Sequence, residues 1–182
     1  MGNLFLSPIL LTQQGQNYLN SKHMIRQVIC FTLLLSFIAC LPPKDSNELD
    51  KEAVIGEVKQ MFDNYHSDIK KEGLTAEFKY LDQSGDFFWV PPGYNSALTY
   101  DSVKAILEKS AKSFKDVEFH WKTLQIFPLT NEIANYSGIV GGTLTDTSGA
   151  TNTISIIESG TLIKRQDGWK LLSGQSANLV IE

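Results

Sequence analysis

The chain has 182 residues, the size of one ordinary domain with a short additional segment. Apolar side chains make up 42% and charged ones 20%, which excludes a disordered, collagenous or low-complexity chain, and two cysteines exclude a disulfide scaffold. Sixteen Lys and Arg against 20 Asp and Glu give a net charge of -4, so the basic footprint of a nucleic-acid-binding protein is missing.

Charge divides the chain. All 20 acidic residues follow position 40, whereas residues 1–39 carry only Lys22 and Arg26 as formal charges. Residues 40–182 hold 14 basic and 20 acidic side chains, a net of -6, which describes a mildly acidic domain able to build one core.

Residues 1–23 show no periodic pattern and precede a better start at Met24, so they read as an over-extended N-terminus. From Met24, Arg26 supplies a positive charge, Val28 to Ala39 is an uncharged apolar run, and small Ala39 precedes Cys40. That order is a secretory signal, and the run falls short of the roughly 20 apolar residues a membrane span needs. Leu35-Ser36-Phe37-Ile38-Ala39-Cys40 resembles a bacterial lipoprotein signal, with Phe37 and Ile38 departing from its tightest form. The resemblance implies residues 24–39 as signal peptide, lipidation of Cys40, and a membrane-anchored place in the bacterial cell envelope. Ordinary secretion is the alternative. Residues 40–47, with Pro42-Pro43, read as a tether, and residues 48–182 as the folded domain.

Within that domain, Asp45 and Glu48 have capping-box spacing, and Val54, Val58, Met61, Phe62, Tyr65 and Ile69 form one apolar stripe. With Lys70, Lys71 and Gly73 as the stop, the pattern predicts a long amphipathic helix over residues 47–72. Asp86 to Val90 reads as a short strand ended by Pro91-Pro92-Gly93, and Tyr100 to Phe114 as a second helix. Then follow four β-branched and aromatic runs, 117–127, 133–144, 151–165 and 169–180, separated by turn signals. Asp167-Gly168 is the strongest of these and predicts a two-residue hairpin.

The order of elements resembles the nuclear transport factor 2-like fold. Asp86-Phe87-Phe88-Trp89-Val90-Pro91-Pro92-Gly93 looks like the first-strand segment of its SnoaL-like branch. Ile163 to Leu172, with its Asp-Gly turn and Trp169-Lys170 pair, looks like that branch's final hairpin. The resemblance covers roughly residues 48–179. It implies an α+β cone in which a curved antiparallel sheet wraps around the long helix and leaves an apolar pocket. Its members include ketosteroid isomerases, cyclases and dehydratases, so the fold alone implies no single activity. Many members carry histidines after the Trp-Lys pair, where this chain has Ser173-Gly174-Gln175-Ser176.

An uninterrupted hairpin places Glu158, Ser173 and Gln175 on one face of the sheet. Glu158 interrupts an apolar run, so it is either a pocket acid with a raised pKa or a solvated carboxylate on the outside. Tyr65 lies on the helix stripe and points a hydroxyl at the pocket or buries it against backbone. Trp89 and Trp121 are expected as pocket walls, His66 off the stripe and exposed, and His120 on the face opposite Phe119 and Trp121. Asp86 is a third acid to test. No zinc spacing, phosphate loop or nucleophile elbow occurs, and no metal or cofactor is expected.

Two functions fit. One is a lipid-anchored, non-catalytic module holding a small apolar molecule. The other is an isomerase, cyclase or dehydratase using Glu158 with Tyr65. Apolar residues on both faces of the sheet, among them Ile156, Ile157, Leu162 and Ile163, also predict a homodimer.

Overall fold

The computed structural model describes residues 48–179, so the expectations for the segment before Glu48, Cys40 among them, lie outside the described residues. Helix α1 spans Lys51–Glu72. Its cap is Asp50, whose side chain accepts from the Ala53 amide at 3.1 Å. The helix therefore starts later than the Asp45 capping box predicts. Asn131 fixes this end in space: its Oδ1 accepts from the Asp50 amide at 2.9 Å and its Nδ2 donates to the Glu48 carbonyl at 3.0 Å. Gly73 ends the helix at φ 86, a backbone conformation that other residues adopt only with strain.

A 3-10 turn, Leu74–Lys79, follows. Strand β1 is Phe88–Val90, helix α2 is Tyr100–Ala111, and four long strands complete the chain: β2 Phe114–Pro128, β3 Ile133–Asp146, β4 Thr151–Arg165 and β5 Gly168–Asn178. The second helix is thus shorter than predicted, with Phe114 opening β2. The sheet order is β1-β5-β4-β3-β2. β2 to β5 form an antiparallel meander, and β1 joins its edge in parallel with β5, so the sheet is mixed.

The stripe of α1 makes the core. Val54, Val58, Met61 and Phe62 pack with Ala134 and Tyr136 of β3, Leu162 of β4, and Trp169 and Leu171 of β5. Phe62 stands edge-on to Trp121 and Tyr136, with ring centroids 5.0 and 4.9 Å apart. Wrapping one sheet around one helix demands curvature, and the pairing breaks at Phe114/Asp116, Trp121/Thr123 and Thr161/Leu162 supply local bends.

The last break corrects the predicted register. The hairpin turns on Gln166-Asp167, and Gly168 at φ 114 already pairs with Arg165. Leu171 pairs with Leu162 and Ser173 with Thr161, leaving Leu172 as the extra residue. Glu158 therefore faces Ser176. A one-residue slip turns every following side chain to the other face. Ser173 and Gln175 accordingly stand with Phe88, Phe127 and Thr161 along a surface groove away from the cavity.

Trp169 is 4% exposed, and its Nε1 donates to Glu57 Oε2 at 2.8 Å. Trp169→Ala should destabilise the domain by about 3–5 kcal/mol, since it removes a large ring from a closed core. A loss below about 1 kcal/mol in urea melts would contradict this packing.

Candidate functional site

Between the inner face of the sheet and the two helices lies a cavity of about 180 Å³. Trp89, Pro91 and Pro92 close one side, Val103, Ile106 and Leu107 of α2 another, and Val140, Ile156 and Leu171 line the sheet wall. Two carboxyls face this mostly apolar space, Glu77 from the 3-10 turn and Glu158 from β4, with Tyr65 and His66 of α1 beside them.

Glycine makes room for the large rings. Gly174 pairs with Trp89, and a Cβ there would sit 2.5 Å from the indole. Gly160 pairs with Tyr136, and its Cβ would sit 3.0 Å from the phenol ring. Trp89 thus lies flat enough on β5 to wall the cavity and to donate from Nε1 to Ser176 Oγ at 3.3 Å. Tyr136 is directed along β3 to Glu158, two residues further on the same face, and donates from its hydroxyl to Oε1 at 2.7 Å.

The electrostatics follow from burial. Desolvation pushes Glu158 up to about 7, against the pull of the Tyr136 hydrogen bond. Desolvation and then repulsion from Glu158 push Glu77 up to about 8, opposed by its hydrogen-bonding interaction with Tyr65. Both tyrosine hydroxyls are raised well above their ordinary value, mainly by burial and then by the neighbouring carboxyls. Burial also lowers His66 to about 4, so its imidazole is neutral at physiological pH.

Of the residues singled out from sequence, Tyr65, Trp89 and Glu158 border the cavity. Trp121 stands behind the wall, packed on Phe62, Tyr136 and His66, and its Nε1 is buried without a hydrogen-bond partner among the described residues. Asp86 is exposed and takes no part. The nearby buried acid, Asp82, is bound instead by Arg165 through Nε at 2.7 Å and Nη2 at 3.2 Å. Ser176 occupies the place expected of Ser173 and Gln175.

Sequence reasoning missed Glu77 and misplaced His66. His66 follows Phe62 by four residues and shares its side of α1, so the stripe widens toward the cavity instead of continuing at one width. Glu77 follows buried Leu74 by three residues, the spacing that aligns side chains in a 3-10 turn. Reading that signal requires knowing that the segment is 3-10. No group of three or more metal-ligating side chains occurs among the described residues, and no helix there is long and apolar enough to cross a membrane.

No protein-family model matches the chain, and no curated protein matches it in sequence. In structure it is similar to a nuclear transport factor 2-like superfamily protein from Salmonella enterica, with TM-score 0.61 at 15% identity over 71% of this chain and 94% of that one. It is also similar to a scytalone dehydratase-like protein from Novosphingobium aromaticivorans, with TM-score 0.61 at 16% identity over 69% and 84% of the two chains. A third is the hexachlorocyclohexane dehydrochlorinase LinA-type3 from Novosphingobium barchaimii, with TM-score 0.57 at 11% identity over 73% and 91%. The fold matches the α+β cone of these structures, the nuclear transport factor 2-like fold.

The two acids make stability fall with rising pH. Each has a folded pKa above its ordinary 4.5, so the folded protein holds protons that the unfolded chain has released. His66, held near 4 against 6.5, has the opposite effect, but only below pH 6.5. Between pH 6.5 and 8 the urea midpoint should drop, and the double variant Glu77→Gln/Glu158→Gln should flatten that slope. A wild-type midpoint that rises over this window would contradict the placement of both carboxyls.

Proposed function

We propose that the domain binds a small, largely apolar molecule inside the cone. The observation that carries this reading is the cavity itself: about 180 Å³ of mostly apolar space with two carboxyls on its wall. A cavity of about 150 Å³ lined by apolar side chains holds a benzene-sized molecule, so the space suits a single ring or a short branched chain. A few polar groups in an apolar pocket orient such a ligand. In calorimetry or ligand-observed NMR, a panel of one-ring compounds should include saturable binders. Leu107→Trp, which fills the cavity from α2, should remove that binding without unfolding the protein. Failure of every member to bind would contradict the reading.

One observation favours a second, catalytic reading. Glu158 sits near neutrality at about 7, and Tyr136 holds one of its oxygens at 2.7 Å. An acid poised near the working pH suits proton transfer to or from a bound carbon acid. The pairing differs from the sequence expectation, with Tyr136 rather than Tyr65 on Glu158. The activities named for two of the structural neighbours, a dehydratase and a dehydrochlorinase, involve removing a proton and a leaving group, which is compatible with this chemistry. Glu158-dependent deuterium exchange into cyclohexanone in heavy water, lost in Glu158→Gln, would support it. Exchange equal in the variant would oppose it.

We also propose that the domain is tethered to a membrane of the bacterial cell envelope through lipid on Cys40, and that it pairs with a second copy. The apolar signal-like run before Cys40 supports the anchor. Phe88, Phe127 and Ile157, 45%, 49% and 45% exposed, support the pairing. Cys40→Ala should move the chain out of the membrane fraction, and light scattering on that released form should give a dimer mass. Unchanged fractionation defeats the anchor, and a monomer mass defeats the pairing.

A further inference from the structure

Several acids elsewhere in this domain meet the protein's own cations. Arg165 holds buried Asp82, Lys164 meets Glu57 at 2.6 Å, Lys79 meets Asp68 and Glu72, and Lys70 meets Glu118. The cavity is different. Among the described residues no Lys or Arg lines it, and the local polar partners of Glu77 and Glu158 are tyrosine hydroxyls. Carboxyls in an apolar wall are ordinarily paired or protonated, and once these two ionise nothing else in the wall provides a counter-charge.

Resting on the reading of the cavity as a ligand site, the geometry points to a compact organic ammonium ion as the ligand class, its N–H donors between Glu77 and Glu158 and its carbon body against Trp89, Ile106 and Leu107. The wall suits such a body twice over. Its apolar side chains match a hydrocarbon ring, and the faces of Tyr65, Trp89 and Phe119 are rings of the kind that attract cations. An anion would meet two acids and a neutral imidazole. A neutral acceptor would use one acid proton and leave the second carboxyl unanswered.

The pH behaviour separates these cases. The titratable groups facing the space are Tyr65 and His66 from α1, Glu77 from the 3-10 turn, Tyr136 from β3 and Glu158 from β4; His120 of β2 adds a weak repulsion on His66. β1, α2 and β5 line it with no titratable side chain. Above about 7 and about 8 the two acids ionise in turn, while a simple amine keeps its proton. Amine affinity therefore rises with pH across this range, whereas affinity for a neutral acceptor does not.

Benzylamine, benzyl alcohol and benzoate share one ring and differ in charge, so calorimetric titration of each into the full chain decides the matter. Near pH 8 benzylamine should bind about tenfold or more tightly than benzyl alcohol, the advantage of charge-assisted over neutral hydrogen bonds. Benzoate should give no saturable heat. Near pH 7 amine binding should release protons, seen as a heat that depends on the ionisation enthalpy of the buffer. Glu77→Gln and Glu158→Gln should each remove most of the amine's advantage over benzyl alcohol. Benzyl alcohol or benzoate binding as tightly as the amine would overturn the ammonium assignment and leave the small-ligand cavity standing. No saturable binding by any of the three would overturn both. The wild-type comparison decides alone, so the conclusion does not depend on the variants folding.

Discussion

Two carboxyl groups share one apolar cavity with tyrosine hydroxyls for company, and the rest of the site is arranged around that constraint. A lone buried carboxylate is strongly disfavoured, so such acids either take up protons or find a partner. Here Tyr136 supplies one hydrogen bond to Glu158, and the residual cost appears as raised proton affinity at both acids. Tyr136 reaches Glu158 only because Gly160 leaves space for its ring, and that ring is itself 2% exposed in the core. The packing that stabilises the cone and the chemistry of its cavity therefore share a residue. Changes to the core around Phe62, Trp121 and Tyr136 should reach the acids without touching them.

Curvature supplies the cavity. A flat sheet would press its inner face against α1 along its whole length, as β3, β4 and β5 do near Val58 and Phe62. Past Phe62, α1 presents Tyr65 and His66 to the cavity, and α2 with the Trp89–Pro92 segment closes it. The lining thus comes from elements far apart in sequence. That is why so many activities can occupy this fold, and why likeness at 10–16% identity speaks for the architecture alone.

Much of this was legible in the residues. The stripe Val54, Val58, Met61, Phe62 and Ile69 is buried as its spacing predicts, because these five apolar residues at a 3.6-residue period share one face of the helix. The four long strands were visible in their β-branched and aromatic runs. Register was not. Leu172 is one more apolar residue in an apolar strand, and nothing in its letters marks it as the one left over. That single bulge moved Ser173 and Gln175 outside and brought Ser176 in. Glu77 was hidden for a related reason: its position depends on a 3-10 turn whose sequence reads equally well as loop or strand. Asp86 drew notice as the acid at the start of the first strand, but the turn before β1 points it to solvent. Single-residue geometry, rather than pattern, decides which polar groups face the cavity.

Glu77 and Glu158 line one apolar cavity, where desolvation raises the proton affinity of both. Carboxyl-carbon NMR of glutamate-labelled protein, with Glu77→Gln and Glu158→Gln used for assignment, tests it most directly. These two resonances should titrate near 8 and near 7, and Glu158→Gln should lower the midpoint of Glu77 by removing its repulsion. Two midpoints in the ordinary range around 4.5, each indifferent to loss of the other residue, would contradict it.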